Sequence, residues 1–323
     1  MVHEPSQYSW LVSLTSKEAV TGHQQQTEMG MPDRPTMDAT SRRGVLLVGH
    51  GTRDSRGTDE FFLLGERLAE RMRDTAVVKP CLLEFQQPDI AAAWESLMSA
   101  GCDRVTVAPL LLFSAGHAKS DIPSEVETAR SKTPNGDAVK VCFAKPITRN
   151  AAMVEAVRSR LREKMSRRPV LASSAASESF GATGTFQPRT AVVMVGRGSR
   201  DPCATSDMRV LSEVVVRGRG RNNSPSMAAE FGLSSNGLWT TFYAMAQPRL
   251  PATLDLVAGT GVFDRVIVHP HLLFAGRLYE AIQRQVGEAA ERFPGVQFDV
   301  SGYLGPTDLV ASALADRIGS GEV

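Results

Sequence analysis

The chain has 323 residues and a mass of 34.9 kDa, enough for about two domains. Apolar residues make up 42% and charged residues 22%, an ordinary soluble composition, and 36 basic against 35 acidic residues leave a formal net charge of +1. That balance gives no global pull towards nucleic acid or an anionic membrane, and no apolar run approaches the ~18 residues of a membrane-spanning helix.

Residues 1–42 are polar, with Gln24-Gln25-Gln26 and two prolines, and read as a disordered tail without a secretion signal. Order is expected from Gly44-Val45-Leu46-Leu47-Val48-Gly49-His50-Gly51, a short apolar run ending in glycines, as in a buried parallel strand and its turn. Residues 58–74 have helical spacing, with Phe61, Leu64, Leu68 and Met72 on one face. Strands are predicted over 77–85, 104–113 and 138–144, and helices over 89–100, 122–132 and 150–166. This alternation of strand and helix predicts a parallel sheet covered by helices.

A Ser-, Ala- and Gly-rich stretch over 166–190 reads as a flexible linker. The pattern then repeats. Gly49-His50-Gly51 and Gly196-Arg197-Gly198 stand 147 positions apart, Gln87-Pro88 and Gln247-Pro248 stand 160 apart, and RVTVAPLLLF and RVIVHPHLLF stand 161 apart. A polar insert near 218–237 accounts for the jump. Ordered matches with one explained shift indicate an internal duplication. The expected fold class is α/β: two tandem domains, 43–165 and 191–320, each a short parallel sheet flanked by helices.

Ligands of open parallel sheets bind beyond the carboxyl ends of the strands. His50, Glu84 and His117 each follow one of three successive strands, so the two imidazoles and the carboxylate should converge at one sheet edge. Such donors suit a divalent first-row metal, and with no thiolate among them the ion remains releasable. The four cysteines form no Cys-x-x-Cys pair, which points away from a disulfide framework or zinc ribbon and towards a reducing, cytoplasmic setting. The Gly-His-Gly turn lacks both the third glycine of a dinucleotide fingerprint and the Gly-Lys-Ser/Thr of a P-loop. Its small residues fit a tight turn and the close approach of a flat ligand.

Together, VLLVGHGTRDSRG, LLEFQQP and APLLLFSAGHAKSDIP resemble the sirohydrochlorin cobaltochelatase/ferrochelatase family, class II chelatases that insert a divalent metal into a tetrapyrrole without ATP. The similarity covers most of 43–165, and a degenerate form covers 190–318. It implies two chelatase-like domains on one polypeptide with the cleft between them, acting as a monomer. It also implies that His50 is a metal ligand and proton acceptor, that His117 is the second imidazole ligand, and that Glu84 serves the tetrapyrrole and metal delivery. Leu112, Phe113, Ser114, Ala115, Gly116 and His117 match a substrate-contacting loop. The metal (Co2+, Fe2+ or Ni2+) is then a substrate, and no organic cofactor is expected. Cobalt would place the reaction in cobalamin synthesis and iron in sirohaem synthesis.

The second repeat departs from the pattern: Arg197 replaces His50, Ala244 replaces Glu84, and Gly276-Arg277 replaces Gly116-His117. Because sirohydrochlorin carries eight carboxylates and Arg pairs bidentately with carboxylate, Arg197, Arg200 and Arg277 are candidates to hold the macrocycle's rim. His269 and His271 share one strand face and are a candidate second metal site. Closure of the cleft should keep the histidines neutral and able to accept a proton. The alternatives are a non-catalytic tetrapyrrole or metal carrier using the same histidines and, ranked last, a phosphate-ester enzyme using the Gly-rich turns.

Overall fold

The computed structural model describes residues 41–113, 120–167, 188–220 and 223–320. Most of the expected tail and linker lies outside these ranges. In the first repeat, β1 (Arg43–Gly49), α1 (Ser55–Met72), β2 (Val77–Leu82), α2 (Ile90–Ser99), β3 (Arg104–Pro109), α3 (Asp121–Ser131), β4 (Lys140–Phe143) and α4 (Ala151–Met165) follow the predicted order. The second repeat runs β5 (Thr190–Gly196), α5 (Pro202–Arg217), α6 (Met227–Glu230), β6 (Leu238–Phe242), α7 (Leu250–Gly259), β7 (Arg265–Pro270), α8 (Arg277–Arg292), β8 (Gln297–Val300) and α9 (Asp308–Gly319).

Each repeat forms a four-stranded parallel sheet, ordered β2-β1-β3-β4 and β6-β5-β7-β8. β1 is therefore central, with Gly49 in register with Leu82 of β2 and Val48 with Pro109 of β3. The carboxyl ends of β2, β1 and β3 therefore lie side by side.

Element ends differ from expectation for local reasons. α1 starts three residues early because the Asp54 carboxylate accepts from the Arg56 amide and caps the first turn. β2 stops at Leu82 because its amide turns back to the Pro88 carbonyl, and β3 stops at Pro109 because the Leu111 amide closes a turn onto that carbonyl. The insert packs onto the repeat: the side chain of Ser226 caps α6, Met227 is buried, and Arg162 pairs with Glu230.

The strands alternate between two cores. Val45 and Leu47 of β1, with Val192 and Met194 of β5, face one shared core between the sheets. Leu46 and Val48 face an outer core in the first repeat, and Val193 and Val195 face one in the second. The repeats also exchange their last helices. α4 packs against β7 and α5, while α9 packs against β3 and α1. Met153, Val157 and Leu161 of α4 and Val310 and Leu314 of α9 are fully buried in the shared core, each worth about 1.5–3 kcal/mol. Neither repeat buries its inward face without the other.

Two arginines secure the exchange. Arg158 of α4 is 3% exposed and donates to the carbonyls of Val214, Val215 and Gly218 at the end of α5. Arg265 of β7, equally buried, donates to the Lys164 and Arg167 carbonyls at the end of α4 and pairs with Asp299. Both cations donate to carbonyls at the C-terminal end of a helix, where the helix dipole favours positive charge.

Candidate functional site

The β1–β2 ladder continues one step beyond the sheet. The Leu83 amide donates to the Gly49 carbonyl at 2.9 Å, and the Glu84 amide to the His50 carbonyl at 3.0 Å. His50 and Glu84 thus stand on adjacent backbone segments, and both residues are exposed. Gly51 makes this possible. Its φ is +93°, and a Cβ there would lie 2.1 Å from the Glu84 carbonyl oxygen. His50 was expected to be buried by the cleft, but it is exposed.

A cavity of about 220 Å³ opens beside His50, between Gly49–Thr52 of the first repeat and Leu273–Ala275 of the second. It adjoins a second cavity of about 460 Å³, bounded by Arg53, Asp54 and Phe85 on one wall and by Phe274, Arg277 and Tyr279 on the other. The two share Gly51, Thr52 and Leu273–Ala275, so they form one cleft between the repeats. Its size is that of a small-molecule site. A larger cavity of about 720 Å³ follows the α4–α5 groove, but no His or Cys is among its lining residues.

Of the expected substrate loop, Leu112 and Phe113 are half-buried and pack against the shared core. Ser114, Ala115, Gly116 and His117 lie outside the described residues. Among the described residues, no three His, Cys, Asp or Glu side chains are grouped to hold a metal ion. The expected trio is therefore represented by His50 and Glu84.

The second repeat keeps the turn without the donors. The Tyr243 amide donates to the Gly196 carbonyl and the Ala244 amide to the Arg197 carbonyl. Gly198 has φ +89°, and a Cβ there would lie 1.7 Å from the Ala244 carbonyl. Arg197 and Arg200 are exposed and line neither part of the cleft. Arg277, the first residue of α8, does line it. The Asp54 carboxyl is held below the usual range chiefly by the Arg56 hydrogen bond, and Arg277 adds to the effect.

His269 and His271 are completely buried on the β7 face turned to the shared core. His269 Nδ1 lies 2.7 Å from Ser301 Oγ, and the two rings are 6.2 Å apart. Among the described residues, His269 Nε2 and both His271 nitrogens have no hydrogen-bond partner. Burial lowers both values, that of His271 to about 4, so both rings are neutral at pH 7.

Sequence reasoning missed the second repeat's wall of the cleft. The signal was present: Leu273 and Phe274 are the repeat mates of Leu112 and Phe113. It also passed over Phe85 and Arg53, although they flank the motifs that drew notice to Glu84 and His50. Glu60 and Tyr303, which join the repeats beside the cleft, carry no sequence signal at all.

The molecule is a duplicated α/β protein of the chelatase type, with one cleft shared between its repeats. The chain belongs to the CbiX family, whose model matches residues 44–164 and again 191–320. It is 27% identical over 288 residues to a sirohydrochlorin ferrochelatase of Priestia megaterium, covering 89% of this chain and 94% of that protein. It is 25% identical over 279 residues to a sirohydrochlorin cobaltochelatase of the same organism, covering 86% and 80%. The solved structure of SirB from Bacillus subtilis with Fe3+ has the same fold, with a TM-score of 0.67 at 24% identity over 87% of this chain and 95% of that one. Among the described residues, no helix is long and apolar enough to cross a membrane.

Proposed function

We propose that this protein inserts a divalent metal ion, Co2+ or Fe2+, into sirohydrochlorin without ATP. The observation that carries the proposal is the juxtaposition of His50, which lines the inter-repeat cleft, and Glu84 on the adjacent segment, fixed by the Glu84 amide to His50 carbonyl bond. Family membership and the chelatase relatives support it. The metal is a substrate, and the chemistry requires no organic cofactor.

The reaction exchanges two pyrrole N–H protons for one M2+, giving the metallated ring and two protons. An imidazole near neutral pH is suited to receive such a proton. In this reading His50 presents the ion and accepts a proton, with His117 as the second nitrogen donor. Glu84 supplies a hard oxygen that orients the ion or passes the proton to solvent. The loop from Leu112 to His117 contacts the ring. Arg277, which lines the cleft, pairs with its carboxylates. Both walls of the cleft come from one chain, so a monomer supplies a complete site.

The test is anaerobic mixing of protein, sirohydrochlorin and Co2+ or Fe2+, followed by visible absorbance. Wild type should accelerate metallation, and His50→Ala should slow it at least ~100-fold with folding intact. Stoichiometric binding without turnover would favour a carrier. Full activity of both His50→Ala and Glu84→Ala would overturn the site.

A further inference from the structure

Phe85 is the least settled large side chain in the cleft. It is 53% exposed, although the large aromatic rings of the protein are mostly buried. Its φ is +73°, and the Gln86 amide donates to the Glu84 carbonyl across it at 3.0 Å. This is a γ-turn of the rare positive-φ kind, a conformation that disfavours a bulky residue. Such strain persists where surrounding structure enforces it, and it concentrates at ligand clamps.

The second repeat keeps the same turn: Met245 has φ +59°, and the Ala246 amide donates to the Ala244 carbonyl. The turn therefore belongs to the fold, whereas the aromatic ring belongs to the repeat that carries His50 and Glu84. The Arg53 guanidinium lies over the Phe85 ring, 5.3 Å from its centre. Arg53 makes no ion pair among the described residues, unlike Arg56, which is tied to Asp54 and Glu280. Both Phe85 and Arg53 line the 460 Å³ part of the cleft, across from Phe274 and Arg277.

We propose that Phe85 and Arg53 form one composite plate, in which the ring takes the face of a flat, carboxylate-rich macrocycle and the guanidinium takes one of its peripheral carboxylates. The inference rests on the chelatase reading and assigns how that substrate is held beside Glu84. Aromatic offset stacking suits a planar π-system, and an unpaired guanidinium is ready for bidentate pairing with a carboxylate. Phe85 and Arg53 touch the macrocycle, and neither the phenyl ring nor the guanidinium binds a metal ion or accepts a proton near neutral pH, so they act on tetrapyrrole affinity rather than on metal affinity.

The test compares wild type, Phe85→Gly, Phe85→Leu and Arg53→Gln. Three quantities are measured: binding of metal-free sirohydrochlorin by its absorbance shift, steady-state cobalt insertion, and thermal stability. Glycine at position 85 removes the ring and also relieves the positive-φ strain. Phe85→Gly should weaken sirohydrochlorin binding about tenfold while Tm stays level or rises. Phe85→Leu should weaken binding less, and Arg53→Gln should weaken it with a shallower salt dependence. KM for Co2+ should be unchanged in all three. Wild-type binding and turnover in Phe85→Gly, or a lower Tm with affinity unaltered, would overturn the plate and leave the chelatase reading standing. If the wild-type chain itself neither binds nor metallates sirohydrochlorin, both fall.

Discussion

Tyr303 and Glu60 are 243 positions apart, yet the phenol O–H donates to Glu60 Oε1 at 2.6 Å. The other carboxylate oxygen accepts the Ala275 amide at 2.7 Å. One side chain of α1 in the first repeat thereby holds two segments of the second, including the loop that forms the far wall of the cleft. Burial and this bond push the Tyr303 phenol up to about 12.

Glu60→Ala should remove both bonds at a cost of about 2 kcal/mol, since hydrogen bonds to a charged acceptor are the stronger kind. Thermal denaturation would report the loss, and ultraviolet titration would show one tyrosine ionising at lower pH. The loosened wall should raise KM for the tetrapyrrole more than it lowers kcat. Identical melting and titration curves for variant and wild type would mean that this bridge has no structural weight.

The paired glycines separate fold from chemistry. Gly51→Ala and Gly198→Ala each force a Cβ against a carbonyl oxygen at positive φ, and each should destabilise the protein by about 1–3 kcal/mol or more. Only the first displaces Glu84 from His50. Metal insertion by Gly51→Ala should therefore fall well beyond its stability loss, whereas Gly198→Ala, beside Ala244, should keep its rate while folded. Equal activity losses in the two variants would count against an N-terminal site.

Much of this was legible from the residues. Buried parallel strands read as unbroken apolar runs, and turns demanding glycine recur at matching offsets, so order, duplication and the strand-end position of His50 and Glu84 followed directly. What was not legible was long-range. The helix exchange depends on which face of α4 meets β7, and the hydrophobic pattern of α4 is the same whichever sheet it covers. Burial of His269 and His271 was equally hidden, because their repeat mates are Ala108 and Leu110 and a period-two pattern fixes a face without saying what covers it. The exposure of His50 depends on how far the two walls stand apart, which no local rule sets.

His271 provides a pH-dependent test of that burial. In the unfolded chain the imidazole takes a proton below about 6.5, but in the folded core it resists until about 4. Its folded value is depressed, so the stability it permits is complete above pH 6.5. That stability is lost as the pH falls towards 4 and changes no further below that. The full loss amounts to roughly 3 kcal/mol, and His269 adds to it in the same direction. His271→Leu, the residue at the matching position of the first repeat, should match or exceed wild-type stability at pH 8 and flatten the profile between pH 6.5 and 4. Parallel urea-denaturation profiles for the two proteins across that window would show that the ring is hydrated in solution.

Arg158 tests whether the repeats unfold as one. Its guanidinium is shared among four carbonyls, those of Val214, Val215, Gly218 and Arg219, and pairs with Glu155 at 2.8 Å, so Arg158→Met removes several buried hydrogen bonds at once. The expected cost is roughly 3 kcal/mol, and it should lower the denaturation midpoint of both halves together. The chain has three tryptophans; Trp94 is buried in the first repeat and Trp239 packs in the second, so with Trp10→Phe added, Trp239→Phe and Trp94→Phe each leave one fluorescent reporter, one in each half. With the shared core intact, the two reporters should trace a single coincident transition in both the wild-type and the Arg158→Met backgrounds. Two separated transitions in the wild-type background would mean that each sheet holds its structure without the helix it receives from the other.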